Sequence, residues 1–180
     1  MKWKTLNLAF WIALIGFTMN FLLVFFSGIK ISSVYLILGT YFSGLLLYIG
    51  LFIGFEILGK ILKNKLLFYS SFVFVFLVIF HIFFLLLSLN FIEVRIHPWT
   101  SIFEYLALII FSFGLFSLRH KFKIFAPLSA LFLASNCFIK LFAFIFSLPL
   151  PFIFFSFTRF LAYIFALIIL FEAKKFEVEK

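Results

Sequence analysis

The stretch Asn90–Leu106, NFIEVRIHPWTSIFEYL, is a long polar interruption between two apolar segments of a 180-residue chain. Pro98 breaks its backbone, because proline cannot continue a helix interior. The stretch also carries side chains capable of chemistry: Glu93, Arg95, His97, Trp99 and Glu104. Most side chains outside this stretch are apolar, so we expect any chemistry of the chain to take place here.

Composition on either side of this stretch predicts an all-α integral membrane protein. Hydrophobic residues make up 67% of the chain and charged residues 12%, with no Asp, and the mean hydropathy is +1.32. A soluble domain is about half apolar and about a quarter charged. A chain in a bilayer must satisfy its backbone hydrogen bonds within helices. The length predicts a single transmembrane domain, residues 1–180.

Apolar runs of about 20 residues predict about six transmembrane helices. The runs are Leu6–Ser27, Val34–Leu58, Leu66–Leu89, Thr100–Leu118, Ile124–Leu148 and Pro151–Phe171. The first run is longer than the roughly 7–15 residues of a signal-peptide core, which favours a retained helix. Cys137 is the single cysteine, so no internal disulfide forms, and we expect it to pack in the core.

The net charge of +9 indicates membrane orientation and contact with the lipid bilayer, not nucleic-acid binding, because the cations lie at segment ends. One side of the predicted bundle holds only Lys30 and Arg95. The other holds Lys2, Lys4, Lys60, Lys63, Lys65, Arg119, Lys121, Lys123, Lys174, Lys175 and Lys180. Cytoplasmic loops are enriched in Lys and Arg, so both termini are predicted to be cytoplasmic. We expect the membrane to be the bacterial or archaeal cytoplasmic membrane.

Two features of the second run have structural interpretations. Gly39, Ser43, Gly50 and Gly54 share one helical face, which predicts close approach of another helix in preference to a flat ligand. Glu56 and Lys60 are spaced for an i,i+4 ion pair.

Three runs place nitrogen-bearing side chains at a similar predicted depth. His81, Lys140 and Arg159 lie eight or nine residues from the outer helix ends, roughly 12 Å at 1.5 Å per residue. Ionisable groups inside a membrane are costly and are candidates for function. The alternatives are that the two cations snorkel to the interface and that His81 is hydrogen-bonded in the core. Glu104 is a candidate partner for one of the cations.

The residues around Pro98 also have structural alternatives. Trp99 is suited to an interfacial anchor. Thr100 or Ser101 is predicted to cap the fourth helix, and Ser101 with Glu104 fits a capping-box pattern. That pattern competes with a functional role for Glu104.

The string HPWTSIFEYLALIIFSFGLF, His97–Phe116, resembles an element of the cytochrome c assembly family of membrane proteins, of the CcsA-like and HemX-like type. The positions that match are Pro98, Thr100, Ser101, Phe103, Glu104 and Leu106. His81 in the outer half of the preceding helix and Ala126-Pro127 after the basic turn extend the resemblance over Tyr69–Leu131. It is partial and divergent, because the family's Trp-rich motif ending in Asp is absent.

The resemblance implies a haem-handling or accessory protein in cytochrome c biogenesis, with other assembly proteins as partners. Its site would face outward, near the loop before Pro98 that carries Glu93, Arg95 and His97, which we call the central loop. His81 and His97 would be axial ligands of haem iron. Lys140 and Arg159 would meet the propionates, beside Trp99 and Glu104. Two alternatives stay open: binding or processing of an anionic lipid or polyprenyl phosphate, and a structural subunit of a membrane complex. Whether the chain is an enzyme is open too.

Overall fold

The structure is a computed structural model that describes residues 2–26, 33–90, 98–146 and 152–173. Within these ranges the chain forms six helices and no strand, which confirms the all-helical fold class. The helices are α1 (Lys2–Phe26), α2 (Ser33–Ile61), α3 (Lys65–Asn90), α4 (Pro98–Phe116), α5 (Phe125–Phe146) and α6 (Phe152–Ala173). Each matches one predicted apolar run to within a few residues.

The helices form one bundle in which each packs against its neighbours in sequence. The last helix, α6, also contacts α1 and α2, so the chain returns to its beginning. Among the described residues, three stretches are long and apolar enough to cross a membrane, judged by length and composition: Lys4–Leu23, Phe42–Ile61 and Phe125–Ala143. Lys65–Phe76 and Tyr105–Phe116 are shorter apolar stretches.

The small residues of α2 lie where α1 approaches most closely, as their spacing predicts. A Cβ added to Gly50 would lie 2.6 Å from the Cα of Ala13, and one added to Gly39 would lie 3.2 Å from Leu23. Between these contacts the Asn20 side-chain amide donates a hydrogen bond of 3.1 Å to the Ser43 hydroxyl. Small side chains allow two helix backbones to approach this closely. The prediction of a helix–helix contact is therefore confirmed for this face.

Gly54, the last member of that stripe, faces α6 instead of α1. A Cβ there would lie 2.8 Å from a methyl group of Leu170. α2 is therefore packed closely on two sides, against α1 and α6.

Aromatic side chains fill the centre of the bundle. The rings of Phe52 and Phe74 stack with centroids 3.8 Å apart, and Phe111 lies 4.7 Å from Phe52. These contacts join α2, α3 and α4 around one apolar core. Cys137 is 1% exposed and belongs to the same core, which confirms its packing role.

Two tight turns meet at one end of the bundle, which we call the basic end. The carbonyl oxygen of the Asn64 side chain accepts a hydrogen bond from the Leu67 backbone N–H and so caps α3. The side-chain amide of Asn64 donates to the hydroxyl of Ser117, in the turn after α4. The turns therefore share one end, where the exposed basic side chains include Lys60, Lys63, Lys65, Arg119, Lys121 and Lys123.

The predicted ion pair at this end is confirmed. Lys60 Nζ lies 2.7 Å from a carboxylate oxygen of Glu56, one helical turn away. The pair ties a basic side chain to the last turns of α2.

The predicted cap of α4 is wrong, because the helix starts two residues before the predicted apolar run. The helix begins at Pro98, so Thr100 and Ser101 lie inside it and neither caps it. Proline is favoured at the first helical position, because its missing N–H would have no intrahelical partner there. The capping-box interpretation of Ser101 and Glu104 therefore falls away.

Candidate functional site

Two hydrogen bonds fix the register of α5 against α6. The Asn136 side-chain amide donates to the Thr158 hydroxyl at 2.8 Å, and the Ser129 hydroxyl donates to the Ala162 carbonyl at 2.9 Å. The numbers rise along α5 as they fall along α6, so the helices are antiparallel. All four residues are buried. Buried polar groups need such partners, because an unmade hydrogen bond is costly in an apolar environment.

Arg159 follows Thr158 and points toward α2. Its Nε–H donates a hydrogen bond of 2.8 Å to the hydroxyl of Tyr163, one turn further along α6. The central guanidinium carbon lies 5.2 Å from the ring centroid of Tyr48 on α2 and 5.6 Å from that of Tyr163. We call Tyr48, Arg159 and Tyr163 the arginine site.

The rings of the arginine site are themselves held by packing. Tyr48 and Tyr163 meet edge to face with centroids 5.9 Å apart, and Tyr48 also meets Phe74 of α3 at 5.8 Å. Arg159 is half-buried and Tyr163 is buried. A cation over an aromatic face gains about 0.5–2 kcal/mol, more as water is excluded. The site thus holds the Arg159 guanidinium between α6 and α2, with Phe74 of α3 packed against Tyr48.

Lys140 is the second predicted interior cation, and it faces a different helix. Its Nζ lies 5.7 Å from the ring centroid of Tyr105 on α4, and the side chain is half-buried. Tyr105 follows Glu104 in sequence, so Lys140 packs beside the turn of α4 to which Glu104 belongs.

The register also changes the expected depths. Asn136 opposite Thr158 and Ser129 opposite Ala162 place Arg159 level with residues 132–135, so Lys140 lies five to eight residues further along α5. At 1.5 Å per residue this is about 8–12 Å. The two cations are therefore about one and a half to two turns apart along the bundle. Counting from the ends of apolar runs misses this offset, because it leaves out the stagger between helices.

The remaining predicted site residues lie partly or wholly outside the described residues. His97 lies outside them, as do Glu93 and Arg95. His81 belongs to α3, and Trp99 and Glu104 belong to α4, but their side chains lie outside the described set. The haem-ligand roles of His81 and His97 stay predictions. Among the side chains that are described, no group of three or more His, Cys, Asp or Glu could hold a metal ion.

Sequence reasoning missed the partners of Arg159. Tyr163 lies four residues after Arg159, a spacing that puts both on one helical face and gave a usable signal. Tyr48 lies on α2, more than a hundred residues away in sequence. No spacing rule connects it to Arg159, because the contact depends on α6 packing against α2.

Comparison with known protein families, with curated proteins and with solved structures finds no match to this chain.

Proposed function

We propose that this chain is a six-span membrane protein whose interior cations bind the acidic groups of an amphipathic ligand, with haem as the ligand. Its role would be haem handling in cytochrome c biogenesis. The observation that carries the proposal is Arg159 held over Tyr48 and Tyr163 inside the bundle. Charged side chains at such positions in membrane proteins mark ligand or ion sites by default.

The membrane arrangement in this proposal has the basic end in the cytoplasm. Its support is the hydrogen bond between Asn64 and Ser117, which brings two basic turns together. Phe10 of α1 and Phe171 of α6 also meet, with ring centroids 5.8 Å apart. Cytoplasmic loops are enriched in Lys and Arg. Both termini are then cytoplasmic and the central loop faces outward.

Cysteine labelling tests this orientation. A Lys121→Cys variant should react with a membrane-impermeant maleimide only after the cells are opened, whereas Arg95→Cys should react in intact cells. Wild type is the control, because Cys137 is buried. Equal labelling of both variants in intact cells would contradict the proposed topology.

The chemistry of the arginine site fits the propionate edge of haem. A guanidinium offers several N–H donors in a fixed plane and binds carboxylates in pairs of hydrogen bonds. Tyr48 and Tyr163 would hold the guanidinium in place for such a ligand. Lys140 would meet a second acidic group. His81 and His97 would supply imidazole nitrogens for the iron.

Haem titration of the purified protein tests the acidic-group role. Arg159→Gln should weaken haem binding by about tenfold or more, because hydrogen bonds to charged groups contribute about 1.5–3 kcal/mol. Arg119→Gln is the matched control, since Arg119 is exposed at the basic end. Equal affinities of the two variants would refute the role of Arg159.

A second candidate is binding of an anionic lipid or polyprenyl phosphate at the same cations. Lys140 beside Tyr105 favours it, because a half-buried ammonium binds phosphate without any metal ligand. A colourless protein whose co-purifying anionic lipid is lost in Arg159→Gln would select this candidate over haem.

A further inference from the structure

A shallow groove of about 360 Å³ runs between α3 and α4, away from the arginine site. Its lining includes Lys65, Tyr69 and Val73 on α3 and Ala107 and Ile110 on α4. The three α3 residues are four apart and so form one line along the helix. At 1.5 Å per residue the line is about 12 Å long.

The shape of the groove follows from its small and large residues. Ala107 is buried at its floor, while Tyr69 and Ile110 are 61% and 49% exposed at its walls. At Gly114 the two helices approach closely, since a Cβ there would lie 2.9 Å from the Cα of Leu67. The groove is therefore an open, shallow apolar channel on the outer surface of the bundle.

The groove opens at the basic end, and the charged side chain that lines this opening is basic. Lys65 is exposed at the mouth, at the first residue of α3. Lys63 precedes it in the turn, with a left-handed backbone at φ 54°. Glu56, an acidic residue near this end, is paired with Lys60. The mouth is thus complementary to an anion, while the channel behind it is complementary to hydrocarbon.

We propose that this groove binds an anionic phospholipid, with an acyl chain along Tyr69, Val73 and Ile110 and the phosphate at Lys65. The inference rests on the membrane-spanning part of the proposed function, and not on haem. A positive charge at the membrane surface attracts an anionic headgroup with about 1 kcal/mol. The apolar channel favours a lipid over a free phosphate, because the acyl chain makes van der Waals contacts with the channel walls that a free phosphate lacks.

Native mass spectrometry of the full chain in detergent tests the site. The probes are phosphatidylglycerol and phosphatidylcholine with identical acyl chains, each titrated separately. Lys65→Gln should weaken the first phosphatidylglycerol binding step about fivefold, which corresponds to about 1 kcal/mol, and leave phosphatidylcholine unchanged. Val73→Trp fills the channel from its exposed wall and should weaken binding of both lipids.

Two matched variants control for general effects. Lys121→Gln removes another exposed cation at the basic end, and Phe113→Trp enlarges an exposed α4 residue outside the groove. Both should bind the lipids as wild type does. Equal binding of the two lipids to wild type, an equal loss in Lys121→Gln, or no effect of Val73→Trp would each overturn the proposal. So would a dimer that Val73→Trp dissociates, because a second copy would then occupy the groove.

The result separates this site from the haem proposal. Selective phosphatidylglycerol binding to a protein that takes up no haem would leave the groove assignment intact and refute the haem role. A protein that binds haem but shows no lipid selectivity would refute the groove assignment and leave the haem role intact.

Discussion

Replacement of Gly50 by alanine tests the close packing of α1 on α2. The added methyl group would lie 2.6 Å from the Cα and 2.7 Å from the Cβ of Ala13. An ordinary contact begins at 3.4 Å, and the backbone nitrogen of Ala13 would be nearer still than its Cα, so α1 must move by more than about 0.8 Å. The obstructing atoms include backbone, which cannot rotate away as a long side chain does. Overpacking of this kind costs about 1–3 kcal/mol.

Gly44, on the same helix, provides the matched control. A methyl group there would lie 3.7 Å from the Asn20 side-chain nitrogen, an ordinary contact. Both substitutions gain the same preference of alanine over glycine in a helix, about 1 kcal/mol. This gain is the same in both variants, so it cancels when their free energies of unfolding are compared. We expect Gly50→Ala to be less stable than Gly44→Ala by about 1–3 kcal/mol.

Reversible unfolding by SDS in mixed micelles, followed by circular dichroism, measures the free energy of unfolding of each variant. Spectra without SDS show whether both variants fold. Equal free energies of unfolding for the two would refute the packing of α1 against Gly50. A lower stability of Gly44→Ala would contradict the register of the two helices.

Further predictions concern the interior hydrogen bond, the α3 cap and the cysteine. A double-mutant cycle of Asn136→Ala and Thr158→Ala should give a coupling energy of about 0.6 kcal/mol, and at most about 1.7, in the same unfolding assay; zero coupling would contradict the bond. Asn64→Ala should lower the free energy of unfolding by about 1 kcal/mol through loss of the α3 cap. An unchanged free energy of unfolding would contradict the capping role of Asn64. Cys137 should react with a small maleimide only after SDS unfolding, because it is buried; rapid labelling of the folded protein would contradict that burial.

The fold was largely predictable because helices in an apolar chain follow simple rules. Apolar runs of sufficient length gave all six helices that the structure describes. The glycines of α2 marked its close contact with α1, and Glu56 with Lys60 followed from spacing alone. These features depend on residues near in sequence or on one helical face.

The start of α4 and the relative depth of the two interior cations were not predicted correctly, for other physical reasons. The first residue of α4 was misplaced because Ser101 and Glu104 fit a capping pattern, whereas Pro98 begins the helix. The relative depth of Lys140 and Arg159 depends on the stagger between α5 and α6. Stagger is set by side-chain contacts such as Asn136 with Thr158, which the periodicity of a single helix does not encode.

The absorption spectrum of the detergent-purified protein, with and without dithionite and added haem, tests the proposed function most directly. We predict a Soret band typical of histidine-ligated haem, weakened in His81→Ala and, at limiting haem, in Arg159→Gln. A flat spectrum from a folded protein that takes up no added haem would contradict the haem-handling role. The helical bundle would stand in that case, and anionic-lipid binding would become the leading function.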